Sequence, residues 1–420
     1  MYALVDCNNF FVSCERVFNS RLEGKPVIVL SNNDGCAIAR SNEAKALGIK
    51  MGANYFEIEN LCRQHNVQVF STNFVLYADM SNRVKGLLAK FCQEIEDYSI
   101  DEAFLDFHGF EMFDLKTYCQ NIVKTVTQGT GIPISIGIAP TKTLAKVANR
   151  FAKKHAGYKS VCIINTEEKR IKALQKTEIG DVWGIGRKHS KRLVEKNIRT
   201  AYDFTQLPQC WVRKHMTVVG ERTYKELLGV PCINIESIAP DKKSIMVSRS
   251  FGKIITEYSV IAEALSNYTS MAAAKLRNQH SVCKQLMVFI TTNTFRQDLP
   301  QYSKSIVVTL PTQTNATNEI LKHALQGLES IFLPNYQYKK AGVMLFDISP
   351  NTNIQYALFD KVDREKQKNL MCVLDNINQR YGRHSLKFAI QGNGESYKIK
   401  QERLSPAYTT RLSDLPTVKI

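Results

Sequence analysis

Three acidic side chains lie in otherwise apolar segments and could together bind divalent cations. Asp6 ends the run YALVD at 2–6, and Asp101 and Glu102 occur in YSIDEAFLD. A solvated turn would explain an acidic pair by itself, but the apolar neighbours indicate a largely buried hairpin, where unpaired carboxylates are costly. Adjacent strand residues face opposite ways, so Asp101 and Glu102 can share a site only at a turn or a bulge. Carboxylate oxygens suit Mg²⁺, and two such ions would activate an attacking oxygen and stabilise a leaving pyrophosphate.

The elements that must position these carboxylates alternate between strands and helices, which indicates an α+β first domain. We predict strands at 2–6, 26–31 and 132–138, a strand with a turn at 98–107, and helices at 40–48, 78–97, 113–128 and 141–154. A compact helical region is expected at about 165–233, followed by a linker at 234–243. From 244 to 346 the order strand, helix, strand, strand, helix, strand predicts a split βαβ sheet domain. After Asp347 we expect a loop and then a polar tail with some helical pattern.

The 420 residues carry a formal net charge of +17, which favours a polyanionic partner, either nucleic acid or an anionic membrane surface. The membrane alternative is weak, because no apolar run approaches the roughly 20 residues that span a bilayer. The N-terminus also lacks the pattern of a secretory signal. The charge is uneven, since residues 1–140 contain 12 Lys and Arg against 16 Asp and Glu, whereas 141–200 contain 16 against 5. An acidic centre with basic flanking regions fits a metal site beside a polyanion.

Eleven cysteines are scattered along the chain, and none forms a CxxC pair. In a chain of this length the pattern is typical of a reducing compartment, where cysteines serve as small apolar residues. It also argues against a zinc site. We therefore expect a cytoplasmic protein with no membrane partner.

Four segments resemble conserved motifs of the Y-family (translesion) DNA polymerases, in matching order and spacing over the first 160 residues. They are Asp6 and Cys7 followed by NNFFVSCE, then IARSNEAKALGIKMG, YSIDEAFLD and IGIAPTKTLAKVANRFAKK. The segments NNDGCAIAR, YADMSNRV, VWGIGRKHSKRL and LSPAYTTRLSDLP resemble more narrowly the UmuC type within that family, the catalytic subunits of bacterial DNA polymerase V. The resemblance covers essentially the whole chain.

The resemblance implies a multidomain α+β fold shaped like a right hand. The expected parts are a palm at 1–9 and 72–164, small fingers at 10–71, a helical thumb with a helix-hairpin-helix at 165–233, the linker at 234–243, a split βαβ little finger at 244–346, and a C-terminal tail at 347–420. It also implies template-directed DNA synthesis across lesions in the SOS response to DNA damage. Because no segment suggests a proofreading exonuclease, we expect this synthesis to be error-prone.

By the same resemblance, Asp6, Asp101 and Glu102 are the catalytic metal ligands, joined by the backbone carbonyl of Cys7. Two Mg²⁺ ions would be the cofactors. The implied reaction is the attack of a primer 3′-hydroxyl on the α-phosphate of a bound dNTP.

The resemblance assigns the nucleotide contacts to three further residues. Lys153 matches the phosphate-binding lysine of the family, although a solvated helix face would explain a lone lysine. Lys45 stands where many relatives carry arginine, and it offers a point charge in place of a bidentate fork. Asn42 replaces a tyrosine of some relatives and could donate to a phosphate oxygen. Phe11 matches the steric gate, the ring that excludes a ribose 2′-hydroxyl, and we assign the adjacent Phe10 to the core.

Primer–template DNA is the expected macromolecular ligand. Gly184 and Gly186 resemble the hairpin of a helix-hairpin-helix, which binds phosphate through backbone N–H groups, although a GxG is equally common as a structural turn. Arg249 in SRSFG could contact the template backbone from an edge strand, or could simply be an exposed arginine. The basic residues that reinforce the hairpin are Arg187, Lys188, Lys191 and Arg192.

The tail contains a candidate sliding-clamp peptide, QYALF, with Gln355, Leu358 and Phe359 as its binding residues. Such short patterns also arise by chance. The resemblance further implies a processed UmuD-like dimer and a RecA filament as partners. It also implies a bacterial protein that is associated with the nucleoid.

Three alternatives remain at this point. A catalytically silent DNA-binding accessory protein predicts a broken carboxylate set, whereas Asp6, Asp101 and Glu102 are all present. A metal-dependent nuclease needs no steric gate, triphosphate lysines or clamp peptide. A polymerase of type IV would lack the NNDGC segment and the ending SPAYTTRLSDLP.

Overall fold

A computed structural model describes residues 1–110, 112–238, 240–352, 354–355, 360, 362–394 and 396–415. The chain divides into two compact units. The first comprises Met1–Ala239 and Glu402–Ile420, and the second comprises Pro240–Gln401. The division at 239 and 240 falls inside the segment 234–243 that the sequence predicts as a linker.

The first unit begins with a region in which strands and helices are mixed, and it ends in a set of helices. In chain order its elements are β1 (Tyr2–Cys7), α1 (Phe10–Phe18), β2 (Val27–Leu30), β3 (Ala37–Arg40), α2 (Asn42–Ala46), α3 (Tyr55–Gln64), β4 (Gln68–Ser71), α4 (Phe74–Leu88), β5 (Ile95–Asp97), β6 (Glu102–Asp106), α5 (Leu115–Thr130), β7 (Ile134–Ala139), α6 (Lys142–Lys154), β8 (Val161–Ile163), α7 (Glu167–Gln175), α8 (Arg187–Val194), α9 (Ala201–Thr205) and α10 (Gln209–Leu227).

A five-stranded sheet in the order β5-β6-β1-β7-β8 lies at the centre of this unit. The strand β1 pairs antiparallel with both β6 and β7, so it is buried on its two edges. All six of its residues are buried, which explains why its sequence is apolar up to Asp6. One face of the sheet packs on α1, α4 and α5, and the other packs on α6 and the helices that follow it.

The helix α6 is fixed tightly to the central sheet. The Asn149 side-chain amide donates to the carbonyl of Leu4 at 3.2 Å and to that of Ser135 at 2.7 Å. Gly137 on β7 lies directly beneath this helix, and a Cβ placed there would approach the backbone N of Asn149 to 2.0 Å. The absence of a side chain at 137 therefore permits the close approach of helix and sheet.

A second sheet of three strands, in the order β3-β2-β4, has its own core with α2 and α3. Its strands β2 and β4 run parallel, and β3 is antiparallel to β2. The helix α2 begins after Ser41, whose hydroxyl accepts from the N–H of Ala44.

The second unit is a four-stranded antiparallel sheet covered by helices. Its elements are β9 (Ile245–Ile255), α11 (Tyr258–Asn278), β10 (Ser281–Thr292), β11 (Ser303–Thr314), α12 (Thr317–Ile331), β12 (Tyr338–Pro350) and α13 (Arg364–Tyr381). The strand order is β11-β10-β12-β9, and α11 and α12 complete the core. The order of elements from β9 to β12 confirms the predicted split βαβ pattern.

Three predicted elements differ from the structure. The helix predicted at 78–97 is α4, which ends at Leu88, and residues 95–97 form the strand β5 instead. The region predicted as a helix at 40–48 contains the last residue of β3 and the short helix α2. The loop expected after Asp347 begins later, because β12 continues to Pro350. In each case pairing with a neighbouring strand, which a local pattern cannot reveal, overrides the periodicity.

The tail predicted at 347–420 divides between the two units. Its helix α13 belongs to the second unit, where Asp375 pairs with Arg277 at 2.6 Å. Residues 402–415 pack on the first unit. Gln355 is described, but the rest of the predicted clamp peptide, including Leu358 and Phe359, lies outside the described residues.

All eleven cysteines are free thiols, and seven of them are buried, as expected for small apolar residues in the core. In the described part of the chain, no helix combines the length and the apolar character needed to span a membrane.

We expect Gly137→Ala to destabilise the first unit by about 3 kcal/mol or more, because the added methyl group would overlap the α6 backbone. Gly86→Ala is a matched control, since Gly86 is exposed within α4 and a Cβ there has nothing within 4 Å. The control should gain about 0.5–1 kcal/mol from helix propensity. Urea denaturation monitors both variants, and equal stabilities would contradict the close packing of α6.

Candidate active site

The strand pairing brings two of the three candidate carboxylates together. Asp6 lies opposite Glu102 in the antiparallel register of β1 and β6. Directly opposed residues on neighbouring strands project to the same face, with Cβ atoms roughly 5 Å apart. Two residues earlier in β1, Leu4 packs in the core that includes α6. Asp6 and Glu102 therefore face the side of the sheet that α6 covers, as the alternation of strand side chains requires.

Asp101 joins this pair because the chain bends immediately before β6. Residues 99–101 form the bend, and Glu102 is the first residue of the strand. The Ser99 hydroxyl accepts from the N–H of Glu102 at 3.0 Å and donates to Asp101 Oδ1 at 2.6 Å. The N–H of Cys7 donates to the carbonyl of Asp101 at 2.9 Å. Asp101 therefore lies in a bend directly before Glu102, which is the geometry that the two residues would need in order to share a site.

Two lysines of α6, which covers this face of the sheet, form ion pairs with two of the carboxylates. Lys153 forms an ion pair with Asp6, and Lys146 forms one with Glu102 at 3.1 Å. The sequence analysis identified Lys153 but missed Lys146. Its signal was the spacing, because residues seven apart on a helix lie on the same face.

An aromatic cluster holds Lys146 in place. Its ammonium lies 4.2 Å from the ring centre of Tyr98 and 5.4 Å from that of Trp183. The Trp183 indole N–H donates to the Tyr98 hydroxyl at 3.0 Å. Phe104 completes the cluster at 5.9 Å from the ammonium. These cation–π contacts orient the ammonium toward Glu102.

Burial has a large electrostatic effect on Asp6. Removal from water raises the pKa of the Asp6 carboxyl to about 7, although the Lys153 charge and hydrogen bond act in the opposite direction. The negative charges of Glu102 and Asp101 raise the pKa further. The Asp6 Oδ1 atom is buried and has no hydrogen-bond partner. A buried carboxylate oxygen without a hydrogen-bond partner, in a group whose charge is felt by two further carboxylates, is a suitable ligand for a hard divalent cation.

The side chains of Asp6, Asp101 and Glu102 are not arranged around a common metal position. Within the described ranges, no group of three or more His, Cys, Asp and Glu side chains is arranged to hold a metal ion. The reason is visible in the contacts, since Asp6 and Glu102 bind lysines and Asp101 binds Ser99. The donor set fits Mg²⁺ in its chemistry, because all three side chains offer carboxylate oxygens. The lysines supply positive charge that the buried carboxylates need.

A second group of polar side chains lies at the end of β1. Lys45 donates to Asn9 Oδ1 at 2.6 Å and approaches Asn42 Oδ1 at 3.4 Å, and Asn9 in turn donates to Asn42 at 3.2 Å. Asn9, which the sequence analysis missed, precedes α1 with a φ of 49°. Asparagine tolerates this left-handed conformation better than most residues do, so the Asn-Asn pair after β1 was its signal.

Positive charges converge beside this group. The pKa of Lys45 is lowered, first by burial and then by the nearby charges of Arg40 and Lys153. Asp6 acts on the same pKa in the opposite direction. Arg40 is a further residue that the sequence analysis missed, and its guanidinium donates to the carbonyl of Ile49 at 2.7 Å. Three cations held near one another indicate a site for a polyanion.

The two adjacent phenylalanines of α1 differ in burial. Phe10 is 3% exposed and belongs to the core, which confirms its assignment. Phe11 is only partly buried and stacks on Tyr77 with ring centres 4.4 Å apart and an interplanar angle of 14°. Phe74 meets Phe11 edge-on at 6.0 Å.

The candidate DNA-binding residues are exposed in both units. Gly184 has a φ of 89°, and a Cβ there would meet the Thr223 hydroxyl at 2.7 Å. The backbone conformation and the packing therefore favour glycine at this position independently of any DNA contact. Gly186 caps α8 and has open space around it. Arg249 is exposed on β9, which is an edge strand as predicted. The four basic residues of α8 that are also exposed are Arg187, Lys188, Lys191 and Arg192.

Comparison with known proteins identifies the class. The chain superposes on a Y-family DNA polymerase chimera of Dbh and Dpo4 with a TM-score of 0.66 and 20% identity, over 83% of this chain and 99% of the other. Family models match at residues 5–150 (impB/mucB/samB family), 242–358 (the C-terminal domain of that family) and 368–418 (a domain of unknown function, DUF4113). The fold is therefore that of a Y-family DNA polymerase.

Relatives define the type within that class. The chain is 43% identical to Protein UmuC of Salmonella typhimurium over 100% of both sequences. It is 26% identical to DNA polymerase IV of Pelotomaculum thermopropionicum over 92% of this chain and 94% of the relative. The chain belongs to the UmuC type of the Y-family, within the impB/mucB/samB family. It is a DNA-directed DNA polymerase of translesion synthesis in the SOS response.

We expect Asp6→Asn to raise the free energy of unfolding by about 2 kcal/mol at pH 8 in chelator-containing buffer. The amide removes a charge whose burial costs more than its ion pair with Lys153 returns. Asp97→Asn, which changes an exposed carboxylate on β5, should change stability by less than about 0.5 kcal/mol. Urea denaturation decides the matter, since a destabilised Asp6→Asn variant would mean that the ion pair outweighs the burial.

Proposed function

We propose that Asp6, Asp101 and Glu102 form the catalytic centre for nucleotidyl transfer from a dNTP to a primer 3′-hydroxyl. The observation that carries this proposal is the register of β1 against β6, which sets Asp6 opposite Glu102 beside the bend at Asp101. The three carboxylates and the carbonyl of Cys7 would hold two Mg²⁺ ions. When bound, these ions supply Lewis-acid activation of the hydroxyl and neutralise charge on the leaving pyrophosphate.

The lysines of α6 assist this centre in two different ways. Lys153 is paired with Asp6, and its charge is one of those that lower the pKa of Lys45, so both cations act on the same region. From this position Lys153 would turn toward a bound triphosphate. Lys146 keeps the Glu102 carboxylate oriented through its contacts with Tyr98 and Trp183. Both ammonium groups balance negative charge in the absence of cations, and Lys153 exchanges this role for phosphate binding when the nucleotide arrives.

The triphosphate binds beside the end of β1 and the start of α2. Lys45 supplies charge, Asn42 supplies an amide donor, and Asn9 holds both in a hydrogen-bonded group. Phe11 is the steric gate. Its ring stacks on Tyr77, which holds it in a fixed position against the sugar. The expected palm at 1–9 and 72–164 and fingers at 10–71 would share this nucleotide site.

Primer–template DNA binds through sequence-independent contacts to its backbone. The hairpin at Gly184 and Gly186, the basic residues of α8 and Arg249 are the candidate contacts, and their exposure supports this role. Residues 165–233 would serve as the thumb and 244–346 as the little finger. A polymerase needs such contacts because it must advance along any sequence.

Three protein partners complete the proposal. Gln355, Leu358 and Phe359 would bind the sliding clamp, and the UmuC-type membership supports a processed UmuD-like dimer and a RecA filament as further partners. Assembly with these partners on damaged DNA would place the enzyme at the nucleoid.

We expect Asp101→Asn to lower primer extension by about 10³-fold or more, because one acidic metal ligand is lost. Binding of primer–template should remain within about twofold, since Asp101 contributes no positive charge to the DNA contacts. Single-nucleotide extension and fluorescence anisotropy measure the two quantities, with Asp97→Asn as the control. Full extension by Asp101→Asn would overturn the assignment of the catalytic centre.

We expect Phe11→Ala to admit ribonucleotides, because the ring that meets the 2′-hydroxyl is removed. The ratio of kcat/KM for dNTP over rNTP should fall by about 10²-fold, the scale at which shape alone discriminates one small group. Phe56→Ala, on the exposed surface of α3 at 84% exposure, is the matched control. An unchanged ratio in Phe11→Ala would rule out the gate.

A further inference from the structure

The C-terminal segment 402–415, called the strap below, is anchored at the end of β4. The N–H of Ser71 donates to the carbonyl of Arg403 at 2.9 Å, and the N–H of Arg403 donates to the Ser71 hydroxyl at 3.0 Å. The N–H of Glu402 donates to Asp34 Oδ2 at 3.0 Å. These bonds fix the start of the strap on the same unit that holds the candidate active site.

The strap next contacts the N-terminus of α4. The Asn73 side chain accepts from the N–H of Leu76 at 3.2 Å and so caps this helix. Its amide group donates to the strap, to the hydroxyl of Ser405 at 3.1 Å and to the carbonyls of Ser405 and Pro406 at 3.3 and 3.4 Å. One buried side chain therefore links the helix cap to the strap.

The strap also contacts α1. The Ser405 hydroxyl donates to Glu15 Oε1 at 3.0 Å, and the Tyr77 hydroxyl donates to the same oxygen at 2.7 Å. Further along, the Tyr408 ring stacks on Phe18 with centres 4.8 Å apart and an interplanar angle of 8°. Ser405 thus meets the two helices, α1 and α4, at one buried carboxylate.

These two helices carry the stacked pair at the nucleotide site. Phe11 lies one helical turn before Glu15 on α1, and Tyr77 lies one turn after Asn73 on α4. The Phe11 ring rests on Tyr77, whose hydroxyl is bound to Glu15. A chain of direct contacts therefore runs from Ser405 through Glu15 and Tyr77 to Phe11.

We infer that the strap positions the stacked Phe11–Tyr77 pair and thereby contributes to sugar selection, with Ser405 as a positioning residue. The inference rests on the proposed role of Phe11 as the steric gate. It gives the C-terminal segment a task in nucleotide specificity in addition to any partner that the tail binds.

The physical reason lies in the burial of Glu15, which is 2% exposed. Burial raises the pKa of this carboxyl, and the hydrogen bonds from Tyr77 and Ser405 act in the opposite direction. When Ser405 loses its hydroxyl, the Glu15 carboxylate keeps only the hydrogen bond from Tyr77. The side chain then shifts to replace the lost hydrogen bond with another donor. Any such shift moves the Tyr77 ring, and steric exclusion of a 2′-hydroxyl depends steeply on the position of the ring that rests on it.

The test is primer extension by the full chain in the presence of the processed UmuD-like dimer and the RecA filament. The assay compares Ser405→Ala with the unsubstituted protein. We expect the ratio of kcat/KM for dNTP over rNTP to fall by about tenfold, the factor that one charge-assisted hydrogen bond supplies. The change should arise mainly from faster rNTP insertion. Ser413→Ala is the matched control, because Ser413 is exposed on the strap and its hydroxyl donates to the neighbouring Asp414. A chain that ends at Gln401 should show the same loss of selectivity or a greater one.

Each outcome decides between distinct conclusions. If Phe11→Ala leaves the ratio unchanged, the proposed gate is wrong and the role of the strap falls with it. If Phe11→Ala relaxes selection but Ser405→Ala does not, only the role of the strap is overturned. Equal losses for dNTP and rNTP in Ser405→Ala would mean a general structural role, and relaxation by Ser413→Ala to the same extent would remove the assignment to Ser405. Should the shortened chain fail to fold, the single substitution still decides the question.

Discussion

The burial of negative charge at the end of β1 is the constraint on which the rest of the first unit depends. Asp6 ends a strand that is paired on both edges, and its register with Glu102 sets a second carboxylate beside it in a largely apolar sheet. Such charges are tolerated only when cations or hydrogen-bond donors accompany them. The sheet therefore needs a source of positive charge on one face, and the helix α6 provides it through Lys146 and Lys153.

The close attachment of α6 follows from this requirement. Gly137 lets the helix backbone approach the sheet, and Asn149 satisfies carbonyls of two strands at once. The aromatic cluster around Lys146 then links the carboxylates to Trp183, the residue immediately before the hairpin glycine Gly184. Candidate catalytic groups, packing groups and candidate DNA-binding groups thus share one connected set of contacts within the first unit. Substitution of any member is expected to affect its neighbours, because residues in direct contact are energetically coupled.

Sequence patterns predicted much of the fold where local and tertiary preferences agree. The apolar runs of β1 and β7 and the element order of the second unit were predicted within a few residues, because each pattern matches the burial that the structure imposes. The predicted helix at 78–97 extended too far, since residues 95–97 pair with β6. The candidate site was predicted through its carboxylates, Lys153, Asn42, Lys45 and Phe11. Asn9, Lys146, Glu15 and the strap were missed, because their roles arise from contacts between segments distant in the chain.

The sequence by itself determined the groups available to the proposed chemistry: three acidic residues as candidate cation ligands, lysines as candidate phosphate contacts, and an aromatic ring as the candidate steric gate. It also determined the type of polymerase, since these residues occur in motifs of characteristic order. Only the tertiary structure decided which residues hold those groups in place. Strand register, the approach of α6 at Gly137, and the return of the strap to Glu15 depend on pairs separated by tens to hundreds of residues. Local propensity carries no information about such pairs, because their free energy is realised only when the whole chain has folded.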